Sequence, residues 1–202
     1  MTQEQAWVEA ARQGDADAFE ALVRLYEKKV YALALQMCGN PEDAAEVAQE
    51  AFLACWQGLA FFRGDASFST WLYRLTANLC TDFLRREGRR KAMSGPSLDE
   101  QGAYIELADT APSPQEAAER RELRSLIQQG LDTLSPEHRE VLVLREMHQL
   151  TYEEIGTVLD LDLGTVKSRI SRGRKRLRRL LLESGNFSPP PPSKGTGKEG
   201  RP

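Results

Sequence analysis

The sequence predicts an all-α fold of two small helical domains joined by a flexible acidic linker, the C-terminal one a helix-turn-helix. Three observations predict it. Apolar residues recur at helical spacing through most of the chain, and no convincing period-2 strand occurs. Residues 92–115, AMSGPSLDEQGAYIELADTAPSPQ, break that pattern with Gly, Ser and three Pro, as a tether would. Residues 150–182 read as two helices around a tight turn, and the second carries eight Lys/Arg and no Asp/Glu. The expected divisions are 1–91, the tether at 92–115, 116–184, and a tail from 185. The tail is rich in Pro, Gly, Lys and Glu, has nothing to bury and is expected to be disordered.

Helices are expected over 3–13, 15–38, 41–60, 67–90, 116–133, 136–148, 151–160 and 163–183. In the second, Phe19, Leu22, Val23, Tyr26, Val30, Leu33 and Met37 make a continuous face. Asn40-Pro41 restarts the chain, since Pro suits the first helical turn. The third helix should pack through Ala44, Val47, Ala48, Ala51, Phe52, Cys55 and Leu59. In the fourth, Phe68, Leu72, Leu75, Leu79 and Phe83 share one side. Thr151 with Glu154 forms a capping box, followed by an apolar face of Tyr152, Ile155, Val158 and Leu159. Asp162 offers the N-cap oxygen of the last helix. There Val166, Ile170, Gly173, Leu177 and Leu180 form a stripe to be buried, with Ser168, Ser171, Arg172 and Lys175 opposite. Charges of one sign along an exposed face repel one another unless something anionic neutralises them, and DNA phosphate is the natural candidate.

Whole-chain charge conceals this. The net charge of -3 is the sum of segregated blocks. Residues 92–119 hold six Asp/Glu and no Lys/Arg, against the basic cluster in 163–182. Acidic surfaces elsewhere suggest a protein partner as well as DNA. No run approaches the roughly 18 apolar residues of a membrane span, and the start lacks a basic, apolar leader, so a cytoplasmic protein without membrane insertion is expected. Cys38, Cys55 and Cys80 lack CxxC spacing and lie far in sequence from His138 and His148. No metal site, thiol catalytic pair or cofactor is expected, and the cysteines read as small packing residues.

Residues 61–91 carry a second nucleic-acid signal. Arg74, Asn78, Thr81 and Arg85 fall close together on a side of the helix away from its apolar stripe, followed by Arg86, Arg89, Arg90 and Lys91. A Gly64-Asp65 turn leads into the loop around Phe68 and Ser69. A loop with aromatics, then a helix presenting amide and guanidinium groups, suits single-stranded DNA: bases rest on apolar faces and basic groups hold the backbone. Trp71 reads as core rather than stacking platform, and Phe68 equally as a staple closing the loop onto the helix.

Four motifs in order, DAAEVAQEAFLACW (43–56), FRGDASFSTWLYRLTANLCTDFLRR (62–86), LSPEHREVLVLRE (134–146) and LTYEEIGTVLDLDLGTVKSRISRGRKRL (150–177), resemble a bacterial RNA polymerase sigma factor of the extracytoplasmic-function group. The resemblance implies a transcription initiation factor with no catalytic activity. Such a protein binds core RNA polymerase, directs it to promoters and promotes melting. It implies that the helix bearing Asp43, Glu46, Gln49 and Glu50 docks on the clamp of the largest subunit, while the C-terminal domain meets the flap of the second-largest. Phe62, Phe68, Tyr73, Arg74, Asn78 and Arg85 would bind the minus-10 nontemplate strand with one base flipped from the stack. Lys167, Ser168, Ser171 and Arg172 would bind the minus-35 duplex. Arg174, Arg176, Arg178 and Arg179 would hold backbone phosphates or polymerase. An anti-sigma factor is a common partner in the group. Two departures bear on the minus-35 sequence: the turn is Asp162-Leu163 where a small or proline-bearing pair is frequent, and Ser171 stands where a bulkier residue is frequent.

Two other classes compete with this assignment. An autonomous helix-turn-helix regulator with an N-terminal helical sensor domain would bind a palindrome as a dimer, and nothing here resembles a dimerisation heptad. A nucleic-acid enzyme would need clustered carboxylates or a nucleophile with its base, and no such constellation is legible.

Overall fold

The computed structural model describes residues 2–94 and 114–183, with side chains for all of these except 91–94, 114–121 and 124. The expected tether therefore lies outside the described residues except at its two ends, and the expected tail lies wholly outside. Among the described residues the regular structure is helical.

Local chemistry sets the helix ends. Helix α1 (Gln3–Arg12) opens on a Thr2/Gln5 capping box. Helix α2 (Ala16–Cys38) starts where the Asp15 carboxylate accepts from the Asp17 and Ala18 amides, and ends at Gly39, whose φ of 78° is the left-handed cap that glycine adopts freely. Asn40 caps α3 (Pro41–Gly58), with Pro41 in its first turn, and a 3-10 turn over Leu59–Phe61 follows. Helix α4 (Phe68–Ser94) begins at Ser67, whose hydroxyl accepts from the Thr70 amide at 3.1 Å, and runs past the expected end at 90. Helices α5 (Pro114–Asp132), α6 (Pro136–Leu142), α7 (Tyr152–Leu159) and α8 (Leu163–Glu183) complete the chain. Between α6 and α7 the expected helix changes pitch: Val143–Met147 form a π-helical turn.

Helices α1 to α4 enclose a core of Leu22, Tyr26, Val30, Ala51, Cys55, Leu59, Phe68 and Leu72. Fully burying a side chain such as Leu22 or Leu72 contributes about 1.5–3 kcal/mol. The stripe predicted for α4 is only partly the buried one. Leu75, Leu79 and Phe83 are half-buried, whereas Tyr73, Thr76, Ala77 and Cys80 are buried. Thr76 satisfies its buried hydroxyl by donating to the Leu72 carbonyl at 2.9 Å.

That second stripe explains the largest difference from expectation. The sequence suggests two modules held apart, yet Tyr73, Ala77 and Cys80 share one cluster with Leu142, Leu144, Ile155, Val158, Val166 and Ile170 of the C-terminal helices. Three further contacts cross the seam. Arg139 donates through Nη1 to the Met37 carbonyl at 3.0 Å, while its Nε donates to the Leu131 carbonyl at 3.0 Å within its own module. It thereby satisfies an orphan carbonyl at the C-terminus of α2, where a cation is favoured. The Thr81 hydroxyl donates to Glu140 Oε1 at 3.3 Å, and the Tyr73 and His148 rings meet edge to face at 5.2 Å.

Candidate nucleic-acid interface

The turn between the 3-10 element and α4 forms the first candidate surface. Gly64 at φ 78° reverses the chain, and residues Phe61 to Ala66 then face Trp71 and Arg74 across a cleft of about 160 Å³. Phe62 lines it, tilted against Trp71 with ring centroids 5.0 Å apart. Phe68 does not. It lies beneath the cleft, edge to face with Tyr26 and Phe62 at 5.5 and 6.2 Å, and is 5% exposed. Phe68 is therefore the staple of the two readings the sequence left open, and its expected contact role is corrected on burial. Trp71 packs against the core as expected, yet is only half-buried and also forms a wall of the cleft. A flat ring beside an exposed guanidinium is a surface on which an unstacked base can rest.

Along α4 the expected polar face divides. Arg74 belongs to the loop cleft. Asn78, Thr81 and Arg85 line a second cleft of about 600 Å³, whose opposite wall is Pro136, Glu137, Glu140, Leu159 and Arg169. Asn78 and Arg85 are exposed, and Arg85 reaches Asp82 at 3.7 Å. Tyr73 is buried among residues of both modules, with the His148 ring packed against it edge to face.

The helix-turn-helix is built as its residues imply. The Thr151 amide donates to Glu154 Oε2 at 2.8 Å and the Glu154 amide to Thr151 Oγ1 at 3.2 Å, which closes the capping box of α7. Asp160 takes the left-handed cap (φ 54°), and the Leu161 amide returns to the Gly156 carbonyl at 2.9 Å. Asp162 then caps α8, accepting the Thr165 amide at 2.9 Å and its hydroxyl at 2.6 Å; these bonds hold its carboxylate below the usual range. Val166, Ile170 and Gly173 are buried, and a Cβ on Gly173 would stand 3.0 Å from Leu142 Cδ1, so this glycine permits α8 to approach α6.

Opposite that stripe Lys167, Ser171, Arg172 and Lys175 are exposed, with no ion pair among the described residues. Ser168 is half-buried and donates to the Thr165 carbonyl at 3.0 Å, which occupies its hydroxyl proton. Arg174 differs from expectation. It binds Glu146 at 2.6 Å and so ties α8 to the π-helical turn. Arg169 pairs with Glu137 at 3.4 Å at the mouth of the inter-module cleft.

On α3, Glu46 and Gln49 are exposed and Glu50 is half-buried. Asp43 turns toward the end of α4; burial, then the nearby Glu87 and Glu46 charges, raise its carboxyl above the ordinary value. The sequence reading passed over the next turns of this face, where Leu53 is 61% exposed and Trp56, packed on Phe19, is 38% exposed. Their signal was their position four and seven residues beyond Gln49, outside the core stripe. Phe61, 83% exposed at the lip of the loop cleft, and Thr157 on its far wall were also missed.

Comparison with known proteins identifies the family of the two modules. Residues 22–90 match the sequence profile of sigma-70 region 2, and residues 124–177 that of sigma-70 region 4. The chain is 35% identical over 178 residues to the ECF RNA polymerase sigma factor SigW of Bacillus subtilis, covering 87% of this chain and 95% of the relative. It is 37% identical over 183 residues to the RNA polymerase sigma-H factor of Pseudomonas aeruginosa, covering 89% and 94%. Among solved structures it resembles CnrH in complex with the cytosolic domain of CnrY, with a TM-score of 0.66 and 27% identity over 90% of this chain and 99% of that one. The sigma factor RpoE of Bartonella quintana, in complex with the anti-sigma factor NepR, shares the fold at a TM-score of 0.66 and 23% identity, over 81% of this chain and 96% of that one. With both modules matched and relatives above a third identical over nearly their whole length, the chain belongs to the ECF group of sigma-70-family RNA polymerase sigma factors, which serve transcription initiation.

Proposed function

We propose that this protein, in the cytoplasm and without catalysis of its own, binds core RNA polymerase, carries it to promoters and helps melt them. The carrying observation is the placement of two different DNA-suited surfaces on two modules: an aromatic-walled cleft with Arg74, and an α8 face bearing Lys167, Arg172 and Lys175. The cleft of Phe62, Trp71 and Arg74 takes a base extruded from the minus-10 nontemplate strand, at a cost of roughly a few kcal/mol that its contacts must offset. Asn78 and Arg85 continue along that strand, and Tyr73 borders them from the buried side of α4. Lys167, Ser168, Ser171 and Arg172 address the minus-35 duplex in the major groove. The α3 face docks on the clamp, with Glu46, Gln49 and Glu50 setting charge complementarity and Leu53 and Trp56 supplying the apolar centre. Asp43, drawn toward α4, supports that face from its edge. The C-terminal module meets the flap, and an anti-sigma factor is the partner expected to hold the protein inactive.

The test is run-off transcription by core polymerase on the DNA upstream of this protein's own gene, alongside gel filtration of protein and core enzyme together. A discrete transcript that requires the protein, and co-elution, are expected. Failure to co-elute overturns the proposal. Tight operator binding by the protein alone would favour the autonomous regulator instead.

A further inference from the structure

Helix α1 precedes residues 22–90, the span that matches sigma-70 region 2, and neither DNA-suited surface uses it. It nevertheless reaches the loop cleft from behind. Glu4, half-buried in its first turn, accepts a hydrogen bond at 2.9 Å from the hydroxyl of Tyr26 on α2, 22 residues away. Tyr26 is 4% exposed, and a buried hydroxyl left without its acceptor is costly, so the bond fixes where that ring sits. The Tyr26 ring meets Phe68 edge to face with centroids 5.5 Å apart. Phe68 in turn packs on both aromatic walls of the cleft, Phe62 at 6.2 Å and Trp71 at 6.0 Å. Helix α1 also packs against the 3-10 turn that carries Phe61 at the lip. Ring pairs of this kind are demanding in geometry, and a close-packed interior passes a displacement on from one ring to the next.

We propose that Glu4 is a positioning residue for the loop cleft: by anchoring Tyr26 against Phe68 it fixes the two walls, Phe62 and Trp71, on which an extruded base rests. The inference depends on the reading of this cleft as the base site. Glu4 touches no base itself and acts only through the Tyr26 hydroxyl and the three rings beyond it. Without the bond the rings keep their apolar packing but lose the anchor that selects one arrangement. Binding a base must then also order the walls that receive it, and affinity falls. A bond that merely tied α1 to the core would leave the contribution of that base unchanged.

The experiment binds full-length protein to core polymerase and measures affinity for a fluorescent single strand carrying the minus-10 element upstream of its own gene. The same strand is tested with each base in turn removed to leave an abasic sugar. In the wild type, removal of one base should weaken binding most, and it marks the base that the cleft holds. Glu4→Ala should bind the intact strand severalfold more weakly, yet bind the strand lacking that base as the wild type does. Glu4→Gln, whose amide oxygen can accept the same bond, should restore the wild-type pattern. Tyr26→Phe should reproduce Glu4→Ala, and because it keeps the buried ring it carries the reading should Glu4→Ala fail to fold. Equal weakening on every strand, the abasic one included, would show that α1 serves the fold alone and would overturn the proposal. An undiminished penalty for removing the marked base, or no rescue by Gln, would overturn it as well. If no base removal weakens binding of the wild type, the base-cleft reading itself fails and the role of Glu4 falls with it.

Discussion

His148 packs edge to face on Tyr73 where the modules meet, and its Nε2 is buried without a partner. Burial, then the charge of Lys29, depress its pKa from 6.5 to about 4. In the unfolded chain it takes its proton near 6.5, so between these values the unfolded state binds more protons. Its contribution is fully present above about 6.5 and is lost as the pH falls toward 4, to the extent of about 3 kcal/mol. Glu140 has the opposite sign: burial raises its pKa, so its contribution is present at low pH and lost as the pH rises through its folded value. The contrast between wild type and His148→Phe therefore isolates the histidine. Urea midpoints should fall on acidification through that window in the wild type and much less in the variant; parallel curves would exclude His148 as the cause. On α8, Arg172 is exposed without an ion pair among the described residues, whereas Arg174 is committed to Glu146. A bidentate guanine contact is worth about 1–3 kcal/mol, so Arg172→Ala should weaken promoter binding by that amount at the upstream duplex alone. Equal weakening on DNA lacking that element would mean that Arg172 holds only phosphate.

At the level of elements, glycine separates the helices that need close approach from those that do not. A Cβ on Gly156 would stand 2.8 Å from the Leu161 carbonyl oxygen, a backbone atom fixed by the turn between α7 and α8. Nothing lies within 4 Å of one on Gly88 in α4. Gly156→Ala should thus cost about 1–3 kcal/mol through overpacking, while Gly88→Ala should gain up to about 1 kcal/mol from helix propensity. Thermal unfolding of the two variants should move in opposite directions; a stabilised Gly156→Ala would show that the turn yields. The same elements show what sequence discloses. The Thr151/Glu154 capping box, the Asp162 cap and the stripe of Val166, Ile170 and Gly173 are short-range patterns, and each stood in the sequence as it stands in the fold. The buried side of α4 was only half legible, because Phe68-Leu72 and Tyr73-Ala77-Cys80 are two stripes at helical spacing and only tertiary packing decides how deeply each is covered. The π-helical turn at Val143–Met147 and the pairing of Arg174 with Glu146, 28 residues apart, have no local signature at all.

For the molecule as a whole, the seam and the DNA-suited faces compete for the same helix. Asn78, Thr81 and Arg85 look into a cleft whose far wall is α6, α7 and Arg169, and Thr157 of α7 also lines the loop cleft with Arg74. In the proposed function, a nontemplate strand laid along α4 would have to displace α7, which would lower affinity for that strand by the fraction of molecules that are closed. The seam itself mixes buried apolar contacts with the Arg139 and Glu140 bonds, each of which is lost as the modules part. Leu159 is the position at which to tip this balance. It is half-buried, lines the cleft beside Leu84, and becomes surface on α7 when the modules separate. Leu159→Glu replaces an apolar contact by a half-buried carboxylate on the wall it shares with Glu137 and Glu140 in the closed form, but leaves it in water in the open one. Small-angle scattering should show a larger radius of gyration, circular dichroism an unchanged helix content, and a single-stranded minus-10 oligonucleotide should bind more tightly than to wild type. A variant that stays compact, or that opens without gaining affinity for the strand, would show that docking of the C-terminal module does not govern access to α4.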